Sequence, residues 1–328
     1  MKRNYYLYGI LVLLLAFIAY NYYSASQAET NISEFIQAQA DSSKGAVSIK
    51  YSSINVSPFL GDITFKDVNI IQPRAIRRAE KIKVDLSYFD FLKFSIGGTE
   101  YGLKHLSNAF LLLNEVSHIN RNTRAELTFE KLTVDYSGDL WNAVLAYLTQ
   151  RPIGGRQKVV IRGNKSSYHK PQSSFGAFKA DSLFIYHDFG DSRKETNKFQ
   201  LTDIIWNPPQ QFRQKYAFII EGFGLHADSI FVDRAGFSYS MDKRKVQISE
   251  GIFKTELLSA NFYGTVVKKP VAVFKPLHFT ITEMSPKLEN ALQNLKQLFN
   301  LAIPVNRGAI QFELIGPVTH PKIASDKK

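Results

Sequence analysis

The side chains that most often do chemistry are scattered in this sequence. Its seven histidines are His105, His118, His169, His187, His226, His278 and His320. No two have the spacing of a His-Glu-x-x-His helix or a comparable metal motif. There is no cysteine, which removes disulfides, thiolate metal sites, cysteine nucleophiles and a lipid-modified N-terminal cysteine. The chain contains no Gly-x-Ser-x-Gly elbow and no phosphate-cradling P-loop. The run Gly222-Phe223-Gly224-Leu225-His226-Ala227 loosely fits a dinucleotide-binding pattern. Strand-like alternation continues on both sides of it, however, with no helix to receive a phosphate. Asp62, Asp67, Asp85 and Asp90 fall at strand ends and turns, where turn-forming and solvated roles suit them better than paired acid–base catalysis. No enzymatic activity, metal or cofactor is therefore expected.

Basic groups are more suggestive. The net charge is +12, a balance that favours anionic partners. Arg74, Arg77, Arg78, Lys81 and Lys83 form one group, Lys243-Arg244-Lys245 a second and Lys268-Lys269 a third. Two readings stand side by side: contact with anionic lipid head groups or glycolipid phosphates, and solvated turns that keep a β-rich surface soluble and block edge pairing.

The N-terminus bears on the partner. Lys2 and Arg3 precede an uncharged stretch of 19 residues, Tyr5 to Tyr23, against the ~20 needed to cross a bilayer as a helix. Its apolar centre includes Leu11, Leu13, Leu14, Leu15 and Phe17. Tyr5, Tyr6 and Tyr8 stand at one end and Tyr20, Tyr22 and Tyr23 at the other, like the aromatic belts of membrane interfaces. The positive residues place the N-terminus in the cytoplasm and the rest outside. The segment reads as a retained signal anchor, or as a signal peptide cut after Ser26-Gln27-Ala28. Export makes nucleic acid an improbable partner.

Beyond the anchor (residues 1–27), residues 28–45 hold a short juxtamembrane helix, with Ile32, Phe35 and Ile36 on one face. From Ala46 the period becomes two, as in Val47, Ile49 and Tyr51. Short strands follow, with Ile54 and Val56, Ile63 and Phe65, Val68 and Ile70, and Ile82, Val84 and Leu86, broken by Pro, Gly, Asn and Asp. Leu103 to Val116 suits either a helix or a buried strand. Leu127-Phe129 and Leu132-Tyr136 return to strand alternation, and Asp139 caps a helix over Leu140 to Thr149. The second half reads as strands about every ten residues: Val159-Ile161, Phe199-Leu201, Ile204-Trp206, Phe218-Ile220, Phe223-Leu225, Ile230-Val232, Phe237-Tyr239, Val246-Ile248 and Phe279-Ile281. Ser285-Pro286 opens a helix, and a last strand carries Ile310, Phe312 and Leu314. Residues 324–328 form a polar tail after a β-rich domain over 46–323. An aromatic content of 13% fits this β character.

The stretches VSIKYSSINVSPFLGDITFKDVNI (Val47 to Ile70) and AEKIKVDLSYFDFLKF (Ala79 to Phe94), with the closing GAIQFELIGPVTHPKI (Gly308 to Ile323), resemble AsmA-like proteins of the bacterial envelope. The resemblance covers the first ~95 residues well and the last ~40 moderately in pattern spacing. It implies a mainly β fold: an N-terminal transmembrane helix, then an elongated, curled antiparallel sheet, a β-groove, with a few short amphipathic helices. It also implies a groove for acyl chains, with Phe65, Val68, Ile70, Phe218, Ile220, Phe237 and Tyr239 as candidate lining. The same stripes equally suit the packed core of a sandwich. The expected function is binding of lipid acyl chains by a protein anchored in the inner membrane, in lipid transport or outer-membrane homeostasis. The expected partners are that membrane, phospholipid or anionic glycolipid, and envelope proteins. The alternative is an anchored periplasmic scaffold without lipid cargo.

Overall fold

The computed structural model describes residues 2–43, 45–149, 157–171, 173, 175–189, 197–222, 226–242, 244–268, 272–299, 305–306, 309–318 and 322–324. Side chains are outside the description for 2–10, 147–149, 189, 216, 219–220, 295–299, 305–306 and 309. The chain is mainly β and divides into two compact units, residues 1–122 with 130–157, and residues 123–129 with 158–328.

The first unit starts with α1 (Lys2–Ser42), followed by β1 (Ser48–Lys50), β2 (Ser53–Val56), β3 (Ile63–Gln72), β4 (Ala75–Asp85), α2 (Tyr88–Lys104), β5 (Asn108–Asn120), β6 (Glu126–Ser137) and α3 (Leu140–Thr149). The strands run in the order β1-β3-β4-β5-β6, with β2 also beside β3. The expected anchor and juxtamembrane helix are one helix of 41 residues. No Pro or Gly lies between Ile10 and Lys44 to interrupt it. Among the described residues no helix is long and apolar enough to cross a membrane. The described side chains of α1 start at Leu11, and Tyr20, Asn21, Tyr22, Tyr23 and Ser24 soon dilute the apolar run.

Helix α2 was not expected from the periodicity. Its signal is a serine N-cap: Ser87 accepts the Asp90 N–H at 3.2 Å and donates to the Asp90 carboxylate at 2.6 Å. Gly98, at φ 77, kinks α2. Next to that break, Asn31 of α1 donates to the Phe94 carbonyl at 2.9 Å. The stripe Asn21, Ser24, Ala25, Ala28 and Ile32 is buried. Its small side chains let α1 and α2 approach closely. Around them lies a core of Val56, Ile63, Leu86, Phe91 and Phe94, against which Phe35, Phe65, Val84 and Trp141 pack. Asp139 caps α3 as expected, accepting the Asn142 N–H at 2.9 Å.

The second unit holds β7 (Gln157–His169), β8 (Ala177–Phe189), β9 (Asn197–Asn207), α4 (Gln210–Gly222), β10 (Ile230–Met241), β11 (Lys245–Lys254), β12 (Leu258–Val267), β13 (Val273–Met284), α5 (Pro286–Phe299), β14 (Val305–Asn306), β15 (Ala309–Pro317) and β16 (Lys322–Ile323). The order is β7 through β13, then β15 and β14, with β16 also on β15. The pairs from β8 through β13, and β13 with β15, are antiparallel. Ser285 caps α5 as expected, accepting the Leu288 N–H at 3.3 Å.

Two expectations fail here. Phe218-Ile220 belongs to helix α4, not to a strand. Pro208-Pro209 stops β9 and starts a helix: the Phe212 and Arg213 N–H groups bond the Pro209 carbonyl at 2.9 and 3.1 Å. The expected strand Phe223-Leu225 lies outside the described residues. The strands are also longer than expected. Ile63-Phe65 and Val68-Ile70 are one strand, as are Leu127-Phe129 with Leu132-Tyr136, Phe199-Leu201 with Ile204-Trp206, and Ile230-Val232 with Phe237-Tyr239. Inside several strands one residue takes positive φ: Asp67 (50°), Glu115 (47°), Lys165 (46°) and Asp203 (49°). Such a kink shifts the in–out alternation by one, so each half looks like a separate strand.

Candidate functional site

One face of the second unit's sheet carries continuous apolar rows. Register places Ile185, Phe199, Phe237, Gly251, Phe262, Phe279 and Phe312 in one row across β8 to β13 and β15. The Phe199 and Phe237 ring centroids lie 5.4 Å apart, those of Phe262 and Phe279 5.2 Å, and those of Phe279 and Phe312 5.2 Å with planes 2° apart. A β-carbon on Gly251 would stand 2.3 Å from the Phe262 ring, which therefore lies over the glycine. A second row runs Leu183, Leu201, Ala235, Phe253, Ala260, Ile281 and Ile310, and a third Tyr239, Ile248, Gly264, Leu277 and Leu314. Burial pushes the Tyr239 hydroxyl pKa up. Seven strands at ~4.8 Å give a face ~29 Å wide, about twice the ~15 Å thickness of one leaflet's acyl layer.

The opposite face carries hydrogen-bonded polar pairs among a few exposed apolar side chains, Ile205, Phe231 and Tyr263. Ser182 bonds Thr202 at 2.7 Å, Arg234 donates to Gln200 at 2.7 Å, Thr265 to Gln247 at 2.6 Å, and His278 lies 3.0 Å from Glu313. One face is thus continuously apolar and the other largely wetted.

How the two units treat their apolar faces differs. In the first, the rows Ile54-Phe65-Ile82-Leu113 and Val56-Ile63-Val84-Leu111 lead into the helix-covered core. In the second, Phe199, Phe237, Phe262, Phe279 and Phe312 are each only half-buried.

The candidate lining residues fall in both units. Phe65 packs on the core of the first unit, and Val68 and Ile70 continue its face. Phe237 and Tyr239 lie on the apolar face of the second unit. Phe218 is 90% exposed on α4, and the side chain of Ile220 is outside the description.

The first basic group is spread along one strand. Strand β4 ends at Asp85 beside α2 and starts at Ala75, so positions 74–83 span ~30 Å. Lys83, near α2, pairs with Asp62 at 2.7 Å. The hydrogen bond to Asp62 outweighs burial and raises the Lys83 pKa. Asp85 is also pushed up, first by a hydrogen bond with Asp62, then by burial. Lys81 registers with Lys66 and Asn114, and Arg78 with Asn69 and Ser117. Arg77 falls in the row of Ile70 and His118 and donates to Gln72. Burial, then the Arg77 charge, lowers the His118 pKa. Arg74, Arg77 and Arg78 therefore stand at the end of β4 remote from α2. Lys243 and Lys269 lie outside the described residues. Lys245 is in β11, and Lys268 donates to the Asp242 carbonyl at 2.7 Å.

Along α1, Leu11 to Leu15 and Phe17 are 50–71% exposed, and Tyr20, Tyr22 and Tyr23 are exposed too. The side chains of Tyr5 and Tyr6 are outside the description. Among the described residues no group of three or more His, Asp or Glu could hold a metal ion. Compared with protein-family models, curated proteins and solved structures, the chain matches none.

Proposed function

We propose that this chain is an AsmA-like, membrane-anchored envelope protein that binds lipid acyl chains along the apolar face of its second unit, in lipid transport or outer-membrane homeostasis. The observation that carries the reading is the row of half-buried rings from Phe199 to Phe312, backed by an opposite face with hydrogen-bonded polar pairs. An apolar face of this extent needs a partner in water. An acyl chain, thin and flexible, can lie across strands ~4.8 Å apart. The sheet would curl around it as a groove, and binding would involve no covalent step.

The anchor reading is supported by α1. Residues 11–17 are apolar and open to solvent all round the helix, apart from the half-buried Ile18 that follows. A helix apolar on every side belongs inside a protein or a bilayer. Lys2 and Arg3 orient it with the N-terminus in the cytoplasm and the sheet in the periplasm.

The test is native mass spectrometry of the full chain, extracted in mild detergent, followed by lipid analysis. Phospholipid or glycolipid retained at about one or two per chain is the expected result. A chain that carries no lipid and holds a stoichiometric protein partner instead would favour an anchored scaffold and end the lipid reading.

A further inference from the structure

We infer that the first unit docks onto a lipid bilayer through an apolar collar around α1, built by the β2–β3 turn and the outer face of α2. The inference rests on the anchor reading and extends it from a tether to a seated domain.

Helix α2 carries large apolar side chains on two sides, with the Asp90-paired Lys93 between the outer two. Phe91, Phe94 and Ser95 are buried. Phe89 and Ile96, seven residues apart and so on one face, are 77% and 75% exposed. That outward face has no use in a helix that merely covers a core. In the β2–β3 turn, Leu60 is 67% exposed beside the exposed Phe59.

These groups gather at one level of α1. The Phe59 ring meets Tyr22 edge-on at 6.0 Å. The turn abuts the start of α2, since a β-carbon on Gly61 would stand 3.0 Å from Phe91 Cβ and 3.1 Å from the Ser87 carbonyl. On the other side, Ile96 lines a hollow with Tyr20 and Tyr23. Below this level α1 is embedded in the unit through Asn21, Ser24, Ala25 and Ala28. Above it, residues 11–17 are bare.

The occupant is lipid because the collar is continuous with that bare stretch. A partner for Leu11 to Phe17 has to surround the helix, whereas a second protein covers one stripe. Tyrosine rings at the boundary suit the zone between hydrocarbon and water. A short helix with an apolar outer face suits the interface plane. Charge agrees: Asp62 and Asp90 beside the collar are each held by a lysine, Lys83 and Lys93, at 2.7 Å. The chain as a whole is +12, which suits an anionic surface.

The absence of cysteine makes single-site labelling clean. Leu60→Cys, Phe89→Cys and Ile96→Cys in the full chain are labelled with an environment-sensitive fluorophore. The proteins are reconstituted in phosphatidylethanolamine–phosphatidylglycerol vesicles containing a spin-labelled quencher lipid. Leu14→Cys reports the anchor. Arg121→Cys, whose N–H bonds the Arg74 carbonyl at 3.0 Å at the remote end of β4, reports the aqueous side. The three collar sites are exposed, so labelled variants keep the parent's urea midpoint. Quenching at all three at least threefold above Arg121→Cys is expected. Collar labels that behave like Arg121→Cys while Leu14→Cys is quenched overturn docking and leave the anchor standing. If Leu14→Cys is unquenched as well, the anchor reading falls and docking with it.

Discussion

Gly251 offers a direct test of the aromatic row. A methyl group placed there meets the Phe262 ring at 2.3–2.5 Å, so the ring must move by about 1 Å to reach ordinary contact distance. Overpacking of this kind costs ~1–3 kcal/mol. Alanine recovers ~0.5–1 kcal/mol, because glycine is costly inside a strand. The net prediction for Gly251→Ala is a loss of ~0.5–2 kcal/mol. If the Phe262 ring is the obstacle, Phe262→Leu should relieve it. A double-mutant cycle measured by urea unfolding should then show a coupling of ~0.5–2 kcal/mol between the two sites. The displaced ring would also stand up from the face, so Gly251→Ala should retain less lipid than the parent. Additive effects, with unchanged lipid, would refute the seating of Phe262 on Gly251 and the use of this row as a lipid track.

Asn31→Leu removes the donor that bonds the Phe94 carbonyl beside the α2 kink. It should cost ~1–3 kcal/mol in urea unfolding, the penalty of an unpaired polar group out of water. Glu115→Gly should be neutral or stabilising by up to ~1 kcal/mol, because Glu115 sits at φ 47, where non-glycine residues pay ~1–2 kcal/mol. The same change at the neighbouring Ser117, free of that strain, should cost ~0.5–1 kcal/mol by thermal melting. For Asp90, burial works against ionisation, but the hydrogen bonds from Lys93 and Ser87 prevail and hold its carboxyl below the usual range. A depressed folded value means stabilisation that is present above the ordinary value of 3.8 and is lost as pH falls through the folded one. Asp90→Asn should therefore cost ~0.5 kcal/mol at neutral pH, in the range of charges at helix starts, and the difference from the parent should fade below pH ~4.

Local chemistry was legible where it acts within a few residues. The Asp139 and Ser285-Pro286 caps are visible in the letters, because capping depends on nearest neighbours. The same kind of signal, Ser87 with Asp90, marks α2. It was obscured there because apolar side chains surround it on both faces, Phe89 and Ile96 outside and Phe91 and Phe94 inside, which blurs the helical period. Helix α4 was misread for a related reason: Phe218 and Ile220 alternate like a strand, and only Pro208-Pro209 shows that β9 has stopped. The scatter of Arg74 to Lys83 depended on the direction of β4, which adjacency in sequence does not reveal.

The long strands show why rhythm was readable and length was not. Leu201 and Ile204 are both buried, at 9% and 6%, yet an odd number of steps separates them. In an unbroken strand they would point to opposite faces, and Trp206 would follow Ile204 to the polar side. The positive φ at Asp203 shifts the alternation once and returns both halves to one face. The neighbours comply in register: Ala180 and Val232 stand opposite Ile204, and Leu183 and Ala235 opposite Leu201. On β8, β9 and β10 together, the break falls at Asp181, Asp203 and Asp233, between pairs that resume on either side. A kink shared by adjacent strands bends the sheet along a line while keeping its apolar face whole. Strands of ten or more residues that were straight would have to change faces or lose apolar residues, and the face from Leu183 to Ile310 does neither.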